Sequence, residues 1–475
     1  MSNEEYFNDE EFRELLDDYE NTVAHDMPVF MDADDLADIA DYYQMNDRQE
    51  DARRAIERAV ELQPDSVVAL NYLIHEALNV GDYQEAEERL EQIVDKQVPE
   101  YIYCRAEVWM AQGQVEQADN FLREQLKDLP RDEYQDYVLD VANLWTDYGY
   151  YEKGMEWSMR AHPEESDDFK ELMARTYLGL GAYDDSERIF NELIDKNPFQ
   201  KRYWNALSSV HFMKEDFGAA VTSSEYAIAI DPDDSEGIMA KANALFRLDN
   251  FEEALKYYER YSEHVPDDEL SLLYQGSCLI NLHRYDEAAE RLKQAEELTP
   301  YDSENLAEIY QELAYAYGEQ GLVESAVYYL DKTETLDCDH ADMEVVKGHI
   351  LLANGRVEEA NETFAQAIMK SGFSPHTMMR VAVSVYDNQY VEAAYKMFQH
   401  YFEVAGDNCN EGYSYMALCC LDLKRGDEYL QCLKEACRRN PSEARTALGH
   451  LFPEDISPDD YYEYALKNGM KHELS

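Results

Sequence analysis

Reactive side chains are plentiful in this chain of 475 residues, and their spacing decides which chemistry is open to them. Five cysteines crowd the C-terminal part: Cys409, Cys419, Cys420, Cys432 and Cys437. Structural zinc usually takes CxxC-like pairs, whereas these steps are ten, one, twelve and five residues. Such spacing suits cysteines on buried helix faces, where a free thiol packs as a small apolar group. Cys338-Asp339-His340 sets a thiol beside an imidazole in what reads as a polar loop. Asp32-Ala33-Asp34-Asp35 and Asp231-Pro232-Asp233-Asp234 carry oxygens that suit calcium. They lack the glycine-turned loop with a terminal bidentate Glu, and Asp in such places caps the next helix. A phosphate-binding GxxxxGK(S/T) loop, a GxSxG elbow and an HExxH zinc helix are all absent from the sequence. With 102 Asp and Glu, no carboxylate pair can be picked out by spacing as acid and base. The expectation is a protein that is not an enzyme, with no catalytic residues, no cofactor and no metal site.

Charge narrows the partners. Lys and Arg number 41 against 102 acids, a formal net charge of −61. Such a surface repels phosphate backbones and anionic membranes, so neither nucleic acid nor membrane is expected as a partner. Acidity does not mean disorder here, because 45% hydrophobic and 12% aromatic content gives the chain enough to bury. A membrane span needs about 18 apolar residues. The longest apolar run, Val67 to Ile74, is already interrupted by Asn71. The opening MSNEEYFNDEEFRELLDDYE has neither a basic n-region nor an apolar h-region. The closing KHELS contains HEL, but retention signals of that type must be terminal. Cysteines set mostly within helical patterns fit a reduced, cytoplasmic compartment.

The elements that must position these side chains show a period. A single core rarely organises this many residues, so about 2–4 domains or a repeat array are the alternatives. Pro198, Pro232, Pro266 and Pro300 stand 34 residues apart. Twelve residues before each lies a small residue, Ser186, Ala220, Ala254 and Ala288, preceded three residues earlier by Tyr183, Phe217, Phe251 and Tyr285. Each unit reads as helix, turn, helix and a loop closed by Pro, which has no N–H to continue the helix. The small residue lets two helices approach closely, and neither buries its apolar stripe alone, so units must stack. Following the small position gives Ala52, Ala86, Ala118, Gly154, Ser186, Ala220, Ala254, Ala288, Ala326, Ala360, Ala393 and Tyr429. The longest step, 38 residues between Ala288 and Ala326, includes Tyr301 to Asn305 and predicts either a longer loop or a bend.

These residues resemble the tetratricopeptide repeat family, most closely at Trp204, Leu207, Ala220, Ala227 and Pro232. Ile39, Ala40, Tyr43, Ala52, Ile56, Ala59 and Pro64 give a second close unit. The resemblance implies an all-α, right-handed solenoid of about twelve antiparallel helical hairpins with terminal capping helices. The expected organisation is an acidic N-terminal helical segment over 1–30, the repeat array over 31–441 and C-terminal capping helices over 442–475. Residues 1–41 hold fifteen acids and one base, Arg13, and Phe12, Leu15, Leu16 and Tyr19 follow helical spacing. Ser2-x-x-Glu5 reads as a capping box, Ser457-Pro458 as a helix start and Gly469 as a helix stop.

In the family, fixed positions of the first helices line a concave groove. Carried over, these are Arg202, Asn205, Ser209 and Phe212, then Glu236, Met239, Asn243 and Phe246, then Leu270, Leu273, Ser277 and Ile280. Amides and hydroxyls beside apolar side chains suit a peptide, whose backbone and anchors need both. The resemblance therefore implies a scaffold or adaptor holding a peptide or helix of a protein partner in the groove. Its alternative is an acidic, chaperone-like binder of basic clients.

Overall fold

Residues 7, 10–25, 31–45, 48–127, 129–131, 133–161, 166–301, 303–406, 409–453 and 456–468 are described by a computed structural model. Ser2, Glu5, Gly469 and the closing KHELS lie outside them. Among the described residues the regular structure is helical throughout. The chain divides into two compact units, Met1–Lys214 and Glu215–Ser475.

The first unit opens with α1 (Glu10–Ala24). Hairpins follow: α2 (Ala33–Met45) with α3 (Gln49–Leu62), α4 (Val67–Asn79) with α5 (Tyr83–Leu90), and α6 (Pro99–Ala111) with α7 (Val115–Gln125). Then come α8 (Tyr134–Asp147) with α9 (Tyr151–Ser158) and α10 (Asp167–Gly179) with α11 (Tyr183–Lys196), and α12 (Lys201–Met213) closes the unit. The second unit opens with α13 (Phe217–Ile230). Its hairpins are α14 (Ser235–Arg247) with α15 (Phe251–His264), α16 (Glu269–Asn281) with α17 (Tyr285–Leu298), and α18 (Asn305–Glu319) with α19 (Val323–Lys332). Three more are α20 (His340–Ala353) with α21 (Val357–Lys370), α22 (Pro375–Asp387) with α23 (Val391–Ala405), and α24 (Tyr413–Asp422) with α25 (Gly426–Arg439). Two short helices, α26 (Pro441–Leu448) and α27 (Tyr461–Lys467), end it. Within each unit a first helix packs on its own second helix and, in most repeats, on the first helix of the next hairpin, as stacked repeats must.

The turns explain the regularity. Gly81, Gly113, Gly149, Gly181, Gly321 and Gly355 take φ between 72° and 76°. Glu215, Asp249, His283, Gln389 and Lys424 stand in the same place with φ between 56° and 68°. Each lies five residues before a small-residue position, where a left-handed residue ends the first helix. Ala52, Ala86, Ala118, Ser186, Ala254, Ala288, Ala326 and Ala360 are all completely buried. One position requires correction: Ala393 is exposed, and Ala394 is the buried residue. The turn at Gln389 and the start of α23 at Val391 set the same register. Two adjacent alanines fit the period almost equally, and only the helix face separates them. The 38-residue step lengthens α18 to 15 residues, against 13 in α14 and α16, and extends the connection after Leu298.

Acids next to helix starts act as caps. Asp234 accepts from the Gly237 amide at 3.0 Å and Asp32 from the Asp35 amide at 2.8 Å. At the N-terminal end, Phe12 and Tyr19 of α1 are buried against the first hairpin, in one cluster with Leu36, Ile39, Tyr43 and Ile56. Glu20 of α1 accepts from the Tyr43 hydroxyl at 3.1 Å and pairs with Arg48 at 2.8 Å. At the other end Tyr461 and Ala465 of α27 are buried against the last hairpin, and the Phe452 and Tyr461 rings stack 4.0 Å apart. Leu466 of the same helix is 47% exposed. No described helix is long and apolar enough to cross a membrane.

Candidate partner-binding cleft

Within the second unit the first helices of five consecutive hairpins, with α26, wall a cleft of about 690 Å³. Each helix presents one face to it. Gln311, Glu312 and Tyr315 come from α18, Val345, Val346 and His349 from α20, and His376, Met379, Arg380, Val383, Ser384 and Asp387 from α22. These intervals of three and four residues keep one side of a helix in view. Ile280 of α16 and Tyr415 of α24 border the two ends.

The cleft joins apolar surface to acid. Carboxylates at Glu312, Asp387, Glu411 and Glu443 line it. Arg380 is engaged with Asp342, and His376 lies 3.7 Å from Glu411. Glu443 accepts the Gly412 and Ser414 amides at 3.0 and 3.2 Å, which fixes it at the start of α24. Burial pushes the Glu312 carboxyl up to about 7, and Glu308 adds to the shift. Burial also lowers the pKa of His349, against the opposing pull of Asp387 and Glu319. Its Nδ1 accepts from the Asn388 amide at 3.2 Å and meets Ser384 Oγ at 3.0 Å, which places the ring proton of the neutral form on Nε2. The Tyr315 ring stacks over it at 6.4 Å. Ser384 and His349 are close enough for a nucleophile and base. However, Ser384 is buried and shares that nitrogen with Asn388, and no hydrogen bond from Nε2 to an orienting carboxylate occurs among the described residues. The cleft thus combines apolar side chains, an aromatic–imidazole stack and carboxylate walls.

Residues 172–235 and 239–303 match the family of the tetratricopeptide repeat. Over those residues the chain carries tetratricopeptide repeats. Solved structures similar to it include yeast Tom70, 16% identical, with 92% of this chain and 96% of that one covered and a TM-score of 0.43. The APC/C hetero-tetramer Cut9–Hcn1 is 13% identical over 89% of this chain and 76% of that one, with a TM-score of 0.42. MamA from Desulfovibrio magneticus RS-1 is 15% identical over 36% of this chain and 94% of its own, with a TM-score of 0.34. No curated protein matches the chain.

The groove positions expected from the tetratricopeptide pattern fall in several environments. In α12, Arg202 is exposed and pairs with Glu171 at 2.9 Å, Asn205 is buried, and Ser209 and Phe212 are half-buried. In α14, Glu236 is exposed, while Met239, Asn243 and Phe246 are half-buried. Asn243 accepts from the Tyr258 hydroxyl at 2.7 Å, and Phe246 packs edge-on to Phe251 and Tyr274. In α16, Leu270 is exposed, whereas Leu273, Ser277 and Ile280 are buried. Of these, only Ile280 borders the cleft of the second unit. The sequence reading missed the rest of that cleft, although the tetratricopeptide period carries the signal. The expected positions lie eighteen, fifteen, eleven and eight residues before the small residue. The same offsets from Ala326, Ala360 and Ala394 reach Gln311, Tyr315, Val345, His349, His376, Met379 and Val383.

Proposed function

We propose that the protein is a non-enzymatic scaffold that holds a segment of a protein partner in the cleft of its second unit. One observation supports this above the others: consecutive first helices present Val345, Met379 and Val383 beside carboxylates and amides in one open cleft. A short segment with an apolar anchor and a Lys or Arg side chain satisfies both. The anchor removes apolar surface from water, and the cation meets Asp387 and Glu411 where exposed charge is only partly screened. Arg202, Asn205, Ser209 and Phe212 in the first unit, and Met239, Asn243, Phe246, Leu273, Ser277 and Ile280 in the second, are proposed as groove positions of their own repeats. The buried members support the groove wall, and the half-buried ones meet a partner. All eight cysteines are free thiols, which supports a reducing, cytoplasmic setting.

The test is capture by the full chain carrying a photo-crosslinker at Gln311, with Val383→Arg as the variant. Crosslinked partner segments should contain Lys or Arg next to an apolar residue. Val383→Arg should abolish capture while helicity and melting stay unchanged, and Phe199→Ser, at a residue 79% exposed elsewhere, should leave it intact. Capture that survives Val383→Arg would remove the cleft from consideration. Capture of many unrelated basic proteins would favour the chaperone-like reading.

A further inference from the structure

A second cleft, of about 560 Å³, lies in the first unit and is lined by Asp41 of α2 and by Asn71, Tyr72 and His75 of α4. Asp41, His75 and Glu107 each stand eleven residues before the small residue of their own repeat. Stacking therefore sets them in successive turns of one ladder, with α4 packed on both α2 and α6. His75 Nε2 lies 2.9 Å from Glu107 Oε2. Cys104, three residues before Glu107 on the same face of α6, donates its thiol to Asn71 Oδ1 at 2.6 Å. One donor atom each from His75, Cys104 and Glu107 falls within 4.8 Å of the others.

We propose that His75, Cys104 and Glu107 form a site for a borderline-soft divalent cation, zinc in the first place. The donor set carries the choice. A thiolate and an imidazole favour zinc over the hard cations magnesium and calcium, which take oxygen. Zinc–ligand bonds of about 2.0–2.3 Å imply tetrahedral edges of roughly 3.3–3.8 Å. No donor pair thus needs to close by more than about an ångström, and His75 and Glu107 need to part slightly. On binding, the cation takes the place between Nε2 and Oε2 now bridged by their hydrogen bond. The Cys104 thiol loses its proton to solvent as the sulfur–metal bond forms, and a protonated His75 loses one as well. Asn71, now accepting from the thiol, can turn its amide to donate to the thiolate. Water from the cleft completes the fourth position. The positions are 75, 104 and 107, from two adjacent repeats, so no short motif announces the full set.

The experiment titrates the full reduced chain with Zn²⁺ alone by calorimetry, and with Co²⁺ alone by absorption. Both use excess Mg²⁺ to occupy the general acidic surface. One ion per chain is expected, with proton release that scales with buffer ionisation enthalpy and a thiolate-to-cobalt charge-transfer band. Cys104→Ser should abolish the band. His75→Gln, at a half-exposed residue with little cost to folding, should weaken binding by more than the ~10–100-fold that loss of an outer-sphere partner causes. Cys278→Ser, at a buried cysteine in the second unit, should change neither. If Cys104→Ser does not fold, His75→Gln and the cobalt band decide together. No binding above the Mg²⁺ background, binding unchanged in His75→Gln, or a cobalt complex without the band would each overturn the assignment.

Discussion

Glu312 holds its proton well above the ordinary carboxylate range because burial, and then Glu308, disfavour its charge. Its folded pKa of about 7 exceeds the ordinary 4.5. Between those values the folded chain binds more protons than the unfolded chain, so this group's contribution to stability falls as pH rises and levels off above about 7. Glu312→Gln should flatten that slope, leaving stability near pH 4.5 almost unchanged and raising it at pH 8. Urea midpoints across the range check this, and an unchanged slope would place the titration elsewhere. Ala254 tests packing at the same scale. It is completely buried in α15, which packs closely on α14. Ala254→Leu should overpack that contact and cost about 1–3 kcal/mol, read from denaturant midpoints. A variant as stable as the parent would place Ala254 away from the helix contact.

The period of prolines and small residues made the hairpins legible, because close helix approach and helix termination each demand a residue type. Ala393 was misplaced for the same reason, since Ala394 satisfies that demand one residue later. Burial of Leu273 and Ser277 was not legible, because offsets within one repeat do not show what the next hairpin covers. The α1 helix was readable as amphipathic from Phe12, Leu15, Leu16 and Tyr19, but those residues left open whether it covers the first hairpin or enters the groove. The structure adds the polar anchors Glu20–Arg48 and Glu20–Tyr43. Deleting residues 1–24 should lower the melting temperature and promote association through the bared face of α2 and α3, because terminal repeats need a cover. Light scattering and melting measure both, and partner affinity should change little. Rising affinity with unchanged melting would mean that α1 competes for the cleft.

Across the molecule, many cations are already spent on local pairs. Arg105 bridges Glu87 and Glu91, each at 2.6 Å, and Asp119 takes both Arg123 and Lys153. The excess of acid, −61 in net charge, is left to act at long range. Association with a basic partner should therefore slow and weaken as salt rises to ~0.5 M, where the Debye length falls to ~4 Å. An apolar anchor in the cleft should leave a residual, salt-insensitive affinity. Association rates measured across salt separate the two parts, and a rate flat from low salt to ~0.5 M would rule out electrostatic steering.

The left-handed turn residues also mark where heat tolerance can be engineered. A side chain in that conformation costs about 1–2 kcal/mol, while glycine there concedes about 0.5–1 kcal/mol through the freedom it adds to the unfolded chain. His283 should be left alone, because its ring bonds the Tyr285 hydroxyl at 2.7 Å. Glu215, Asp249, Gln389 and Lys424 are the replaceable ones, each at its own turn. Sites that share no partners add nearly independently, so a quadruple glycine variant should melt several degrees above the parent at no loss of cleft chemistry. The repeats that already hold glycine at this place have made that change, and the others carry it as thermal headroom.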